Sequence, residues 1–296
     1  MNEPAARVVL GTAQLGMDYG IANRGGQPAQ DTADALIEMA WNTGVPFLDT
    51  AQAYGDSESV IGAFFLRNPD CRVRVISKLD PGLAEADSYQ IYAAIRTSAD
   101  RLQGRLDVMM LHDAKMLNRW NDGLGQALVR CRENGVISMI GVSVYTPDEF
   151  QEALNNRECQ LIQAPFNVLD RDLLNSGLFA RAQELGVTLH LRSVFLQGLL
   201  LLDPRDLPPE MSFAHDTISS WRARCSRWGR EAADVALLFV AQAVPDASLV
   251  LGCEAPDQLA DNLNCLGSTP LEQDVLEELM SIPAPGQRVT RPYLWY

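Results

Sequence analysis

The chain has 296 residues, 47% of them apolar, with 24 basic against 38 acidic residues and a net charge of -14. That length and composition suit one α/β domain with a sizeable core, and the charge argues against a basic face for nucleic acid or an anionic membrane. The six cysteines form no CxxC pair and share no zinc-site spacing with the three histidines, so they read as reduced thiols of a cytoplasmic protein without a metal site. No signal pattern opens the chain, and no run reaches the ~20 apolar residues of a membrane helix.

In chain order, short apolar runs alternate with amphipathic stretches. The runs predict strands over 8–11, 47–49, 73–78, 107–112, 139–143, 161–164, 188–193 and 249–252. They are continuous rather than alternating, as strands covered on both faces are. Helices are expected over 31–43, with Asp31 as cap and Gly44 as stop, and over 57–66, 88–102, 123–134, 147–155, 173–185, 256–266 and 271–280. Strand–helix alternation repeated eight times predicts a single (β/α)8 TIM barrel spanning residues 1–296. The longest gap, between strands seven and eight, predicts an enlarged loop with helices near 217–228 and 231–243. Such a loop belongs to the catalytic face. The aromatic tail from Arg288 to Tyr296 either closes the barrel mouth or packs outside.

Asp49, Lys78 and His112 each end an apolar run, and Tyr54 follows Asp49 in Asp49-Thr50-Ala51-Gln52-Ala53-Tyr54-Gly55. Strand ends of one barrel share a face, so these residues meet. A buried Asp, Lys and His are costly unless they satisfy one another. A tyrosine beside a cation is a candidate acid, because the cation lowers the phenol pKa. His190 and His215 read as structural or solvent histidines.

This set resembles the aldo-keto reductase family. The resemblance also runs through the opening Leu10-Gly11-Thr12, Ser57-Glu58 with Ile61-Gly62, Gly141-Val142-Ser143, Gln163-Ala164-Pro165-Phe166-Asn167, Gln197-Gly198 and Gln258 to Asn262. It implies a nicotinamide-dependent oxidoreductase that interconverts a carbonyl (aldehyde, ketone or sugar) and an alcohol without a Rossmann domain, with a monomer as the family default and a homo-oligomer left open. No GxGxxG motif follows a strand here. By resemblance, Tyr54 is the general acid/base, Lys78 and Asp49 support it, and His112 orients the carbonyl. Cofactor contacts are implied at Gly11, Thr12, Ser143, Gln163, Arg192, Ser193, Phe195, Gln197, Gly198, Gly252, Glu254, Gln258, Asp261 and Asn262.

Three positions depart from the family pattern. Val144 stands where an asparagine is common, so Asn167 is a candidate replacement. Arg192 stands where an aromatic ring commonly stacks on the nicotinamide; it either stacks there or meets an anionic substrate. Glu254 and Asp257 stand where a 2′-phosphate would be bound, which tilts the choice between NAD(H) and NADP(H) towards NAD(H). Substrate-facing candidates are Met17, Tyr19, Trp120, Tyr145 and Trp221. A nucleotide-binding regulator of the same fold, without turnover, is the alternative function.

Overall fold

The computed structural model describes residues 4–295. Eight parallel strands close a barrel in chain order, β1 pairing with β8. They are β1 (Val8–Gly11), β2 (Phe47–Asp49), β3 (Arg74–Leu79), β4 (Leu106–Leu111), β5 (Met139–Ser143), β6 (Leu161–Pro165), β7 (Thr188–Arg192) and β8 (Ser248–Gly252). Alternation along each strand divides the core. Leu10, Leu48, Val75, Met109, Ile140, Ile162, Leu191 and Leu249 face the helix ring. Val9, Ile76, Val108, Met110 and Leu161, with Phe47, Met139 and Val250, fill the barrel interior. Further inward positions at or just past the strand ends bring Gly11, Asp49, Lys78, His112, Ser143, Gln163, Arg192 and Gly252 to the carboxyl end.

Most departures from expectation are one-residue shifts at element ends. Some are larger. Asp31 lies inside the helix Gln30–Thr43, whose N-cap is the extended Ala29. The stretch expected as one helix over 173–185 is two, Asp172–Asn175 and Leu178–Glu184, separated at Gly177 with φ +75°. A 3-10 run, Ala114–Asp122, follows β4 where no element is expected. Between β7 and β8 lie three 3-10 segments and the helices His215–Arg227 and Ala232–Ala243.

The tail packs against the barrel rim. Arg291 donates to Asp170 at 2.6 Å, with both side chains about 5% exposed or less, and Arg288 lies 4.2 Å from the Phe213 ring. Trp295 is buried and donates to the Arg288 carbonyl at 2.9 Å. Tyr296 lies outside the described residues.

Candidate active site

The residues expected to transfer the proton are positioned by contacts between β1, β2 and their loops. Thr12 donates from both N and Oγ1 to the Asp49 carbonyl at 2.9 Å, and Ser57 Oγ donates to the Thr12 carbonyl at 2.9 Å. Gly16 and Gly55 let the two loops touch. A Cβ on Gly16 would come within 1.9 Å of the Tyr54 carbonyl, and one on Gly55, at φ +52°, within 2.2 Å of the Gly16 carbonyl. This contact fixes where Tyr54 stands.

Lys78 is 1% exposed and Asp49 3%. The Lys78 ammonium donates to Asp49 Oδ1 and, at 3.0 Å, to the Thr50 carbonyl. Asp49 Oδ2 accepts from Gln163 Nε2 across the barrel at 2.7 Å. Both carboxylate oxygens are therefore satisfied, as a buried ion pair requires. Tyr54 stands over this pair, with Lys78 Nζ 5.1 Å from its ring centroid. Its ring meets the His112 ring edge-on at 5.5 Å.

Lys78 does not lower the Tyr54 pKa as the sequence suggests. Burial raises the Tyr54 pKa above the ordinary phenol value, the Asp49 charge raises it further, and Arg192 is the cation that opposes them. Lys78 gives its hydrogen bonds to Asp49 and Thr50 instead, and burial lowers its own pKa against the pull of Asp49. Burial, with Lys78 next, brings His112 down to about 4, so the imidazole is neutral near pH 7.

Above these groups lies a cavity of about 380 Å³. Tyr54, His112 and Asp49 line it, as do all fourteen of the residues assigned to cofactor contacts by resemblance; Lys78 lies behind them. Two of those residues also serve the scaffold, since Thr12 holds Asp49 and Gln163 donates to it. Tyr19 and Tyr145 line the cavity, but Met17, Trp120 and Trp221 do not. Trp221 is 2% exposed and donates to the Leu200 carbonyl at 3.0 Å, a core role. Trp120 packs against Gly125, where an added Cβ would meet its ring at 2.5 Å. Asn167 does not replace the missing asparagine: it donates to the Ser193 carbonyl at 3.1 Å and accepts from the Leu169 and Asp170 amides.

The lining also includes Gln14, Ala22, Asn23 and Pro292, which the sequence reading passes over. Asn23 carries a readable signal, since Asn-Arg-Gly-Gly is turn chemistry. Its Oδ1 accepts from the amides of Gly25 and Gly26, each at 2.9 Å. That turn brings the loop after β1 against the loop after β7, where Ile21 N donates to the Gln197 carbonyl at 3.0 Å. Pro292 brings the tail to the cavity rim, and Tyr293 meets Tyr145 edge-on at 5.1 Å.

The lining has features suited to a dinucleotide. Ser193, Leu196 and Gln197 hold φ of 61°, 50° and 53°, and Gly198 holds 90°. Such a run of left-handed residues is costly and is typical of backbone shaped around a ligand. Gly252 keeps the floor open, since a Cβ there would come 2.4 Å from the Gln14 amide. Gln163 gives its Nε2 to Asp49 and leaves Oε1 to accept, beside the Ser143 hydroxyl in register. An acceptor and a hydroxyl suit the two ends of a carboxamide.

Comparison with known proteins identifies the class. The family model for the aldo/keto reductase family matches residues 7–283. The chain belongs to that family and is an NAD(P)H-dependent oxidoreductase. Among its relatives is a D-threo-aldose 1-dehydrogenase from Pseudomonas sp, 28% identical, with the match covering 88% of this chain and 92% of that protein. Another is an NADH-specific methylglyoxal reductase from Escherichia coli, 24% identical, covering 88% and 90%. Among solved structures, the holo form of aldo-keto reductase AKR11C1 from Bacillus halodurans aligns with a TM-score of 0.75 at 21% identity, over 96% of this chain and 95% of that one. At that identity the likeness bears on the fold.

Proposed function

We propose that this protein reduces a small carbonyl compound, with Tyr54 as the acid, and that NADH is its preferred nucleotide. The observation that carries the reading is the placement of a phenol, a neutral imidazole and a buried Lys–Asp pair around one cavity. A bound reduced nicotinamide supplies the hydride that the carbonyl carbon accepts. As that carbon is reduced, charge grows on the oxygen, and Tyr54 Oη gives its proton there. His112, held neutral by burial, donates a hydrogen bond to the same oxygen. Ser143 and Gln163 hold the carboxamide, and the loop from Ser193 to Gly198 holds the phosphates, with Gln197 and backbone N–H groups as donors. A high phenol pKa keeps Tyr54 protonated, which suits an acid. Replacing Tyr54 with Phe tests the reading, as argued below.

The nucleotide preference rests on the far end of the cavity. Glu254 and Asp261 line it, and Gln258 uses its Oε1 to accept from the Glu254 amide at 2.7 Å. Asn262 Nδ2 turns to Cys253 Sγ at 3.6 Å. Burial, with the Asp18 charge next, raises the Glu254 pKa. A 2′-phosphate would meet repulsion there, whereas a 2′-hydroxyl finds an acceptor. The kcat/KM for NADH is expected to exceed that for NADPH by roughly tenfold or more, and Glu254→Lys is expected to narrow the gap. An NADPH preference in the unaltered protein would overturn this assignment.

Relatives named for aldoses and for methylglyoxal support a substrate among small oxygenated carbonyls. A cofactor-oxidation screen over aldoses, 2-oxoaldehydes and aryl aldehydes is the matching measurement. Turnover of aryl aldehydes alone would count against that class.

The buried histidines give a pH dependence of stability. His112 and His190 each fall to about 4, burial being the first cause in both, and the Nδ1 atom of each is buried without a partner. In the unfolded chain both return to about 6.5. The folded form binds fewer protons between those values, so this contribution is full above about 6.5 and is lost as the pH falls towards about 4. The unfolding free energy is expected to drop by roughly 2 kcal/mol per histidine from pH 7 to pH 5. Urea unfolding at both pH values checks it. His190→Leu should flatten the decline, and an unchanged slope in that variant would be inconsistent with this cause.

A further inference from the structure

Arg192 is the sole lysine or arginine among the residues lining the cavity. The cations around it are already paired. Lys78 faces Asp49, and Arg291 faces Asp170 and Asp172. Arg192 pairs with no carboxylate among the described residues. Its Nη2 donates to the Val144 carbonyl at 3.0 Å and its Nη1 to Ser193 Oγ at 3.3 Å. The guanidinium lies 4.1 Å from the Tyr145 ring centroid, and Tyr145 is in turn braced by Tyr293 of the tail. A carbonyl, a hydroxyl and a ring hold the group in place, yet none cancels its charge. The chain thus fixes one positive charge without an ion-pair partner, with the Asp170 carboxylate as a more distant acidic neighbour, in the wall of a cavity where Tyr54 and His112 also lie.

We propose that Arg192 makes the site discriminate between the two redox forms of the nucleotide, admitting neutral dihydronicotinamide and disfavouring the positively charged oxidised ring. The inference rests on the oxidoreductase reading given above. Carbonyl reduction moves two electrons and a hydrogen from the ring to carbon, and the oxygen takes its proton from Tyr54. The ring thereby gains one positive charge in the field of Arg192. That field makes hydride departure harder, so its benefit lies in the exchange of nucleotides. Oxidised product is released readily and reduced nucleotide is captured from a mixed pool, which suits a reductase.

The test is a pair of binding titrations on the full chain, NADH by fluorescence and NAD+ by displacement of NADH. The Kd ratio of NAD+ to NADH is expected to fall roughly tenfold in Arg192→Gln, through tighter NAD+ binding, as loss of a nearby charge across a partly screened cavity implies. Arg192→Lys, which keeps the charge, should retain most of the ratio. Thermal melting of both variants confirms that the barrel is intact. An unchanged ratio in Arg192→Gln overturns the inference, with the oxidoreductase reading intact if both nucleotides bind and turnover persists. An unchanged ratio with losses in kcat/KM confined to carboxylate-bearing carbonyls also overturns it, and assigns Arg192 to a substrate anion. Failure of the unaltered protein to bind either nucleotide overturns both readings.

Discussion

Replacing Tyr54 with Phe is expected to lower kcat by roughly 10²–10⁴-fold, the usual contribution of one positioned acid, while nucleotide binding stays near that of the unaltered protein. The hydroxyl oxygen is the only heavy atom removed. No described side chain or backbone group hydrogen-bonds to it, and the ring contacts with His112 and Lys78 survive the change. The cost in stability should therefore be small, within about 0.5 kcal/mol. His112 cannot take over the proton transfer near neutral pH. With its pKa brought to about 4 by burial, it is already neutral and gives up an N–H proton far less readily than a phenol does. Single-turnover rates with saturating NADH measure the chemical step, and a fluorescence titration measures binding. A Phe variant that turned over at the unaltered rate would remove Tyr54 from the mechanism.

The barrel and the meeting of these groups at one end of it were legible in the sequence for one physical reason. Strands buried on both faces must be apolar throughout, so a charge at the end of a run stands out, as Asp49, Lys78 and His112 do. Their electrostatics were not legible. From sequence, Lys78 looks like the cation that acidifies Tyr54. The fold gives its charge to Asp49, and the free charge belongs to Arg192, on a strand far away in the chain. Gln163 was hidden in the same way, because its contact with Asp49 spans 114 residues of sequence. Loop aromatics were ambiguous as well. Trp221 and Tyr145 both sit outside strands, but only packing makes one a core residue and the other part of the cavity wall. The break at Gly177 turned on a single left-handed residue within an otherwise helical pattern.

The Asp49–Lys78 pair should show stability and catalysis coming apart. Asp49→Leu leaves the Lys78 ammonium buried with the Thr50 carbonyl as its remaining partner, and strips Gln163 Nε2 of its acceptor. Breaking a buried pair from one side costs about 3–5 kcal/mol, so unfolding should shift strongly. Lys78→Met strands the carboxylate instead and should cost a similar amount. Replacing both partners, Asp49→Asn with Lys78→Met, removes both charges while an amide still faces Gln163. Because exchanging a whole buried pair for neutral groups is often close to neutral in stability, the double variant should recover most of the loss. It should not recover turnover, since the buried charged pair against which the Tyr54 ring is held is gone. Unfolding midpoints and kcat measured on these three variants, with Asp49→Asn alone added to close a double-mutant cycle with Lys78→Met, decide between the readings. If the double variant regained both stability and rate, the pair would be a packing device with no part in proton transfer. If it regained neither, the site would depend on shape at these positions more than on charge.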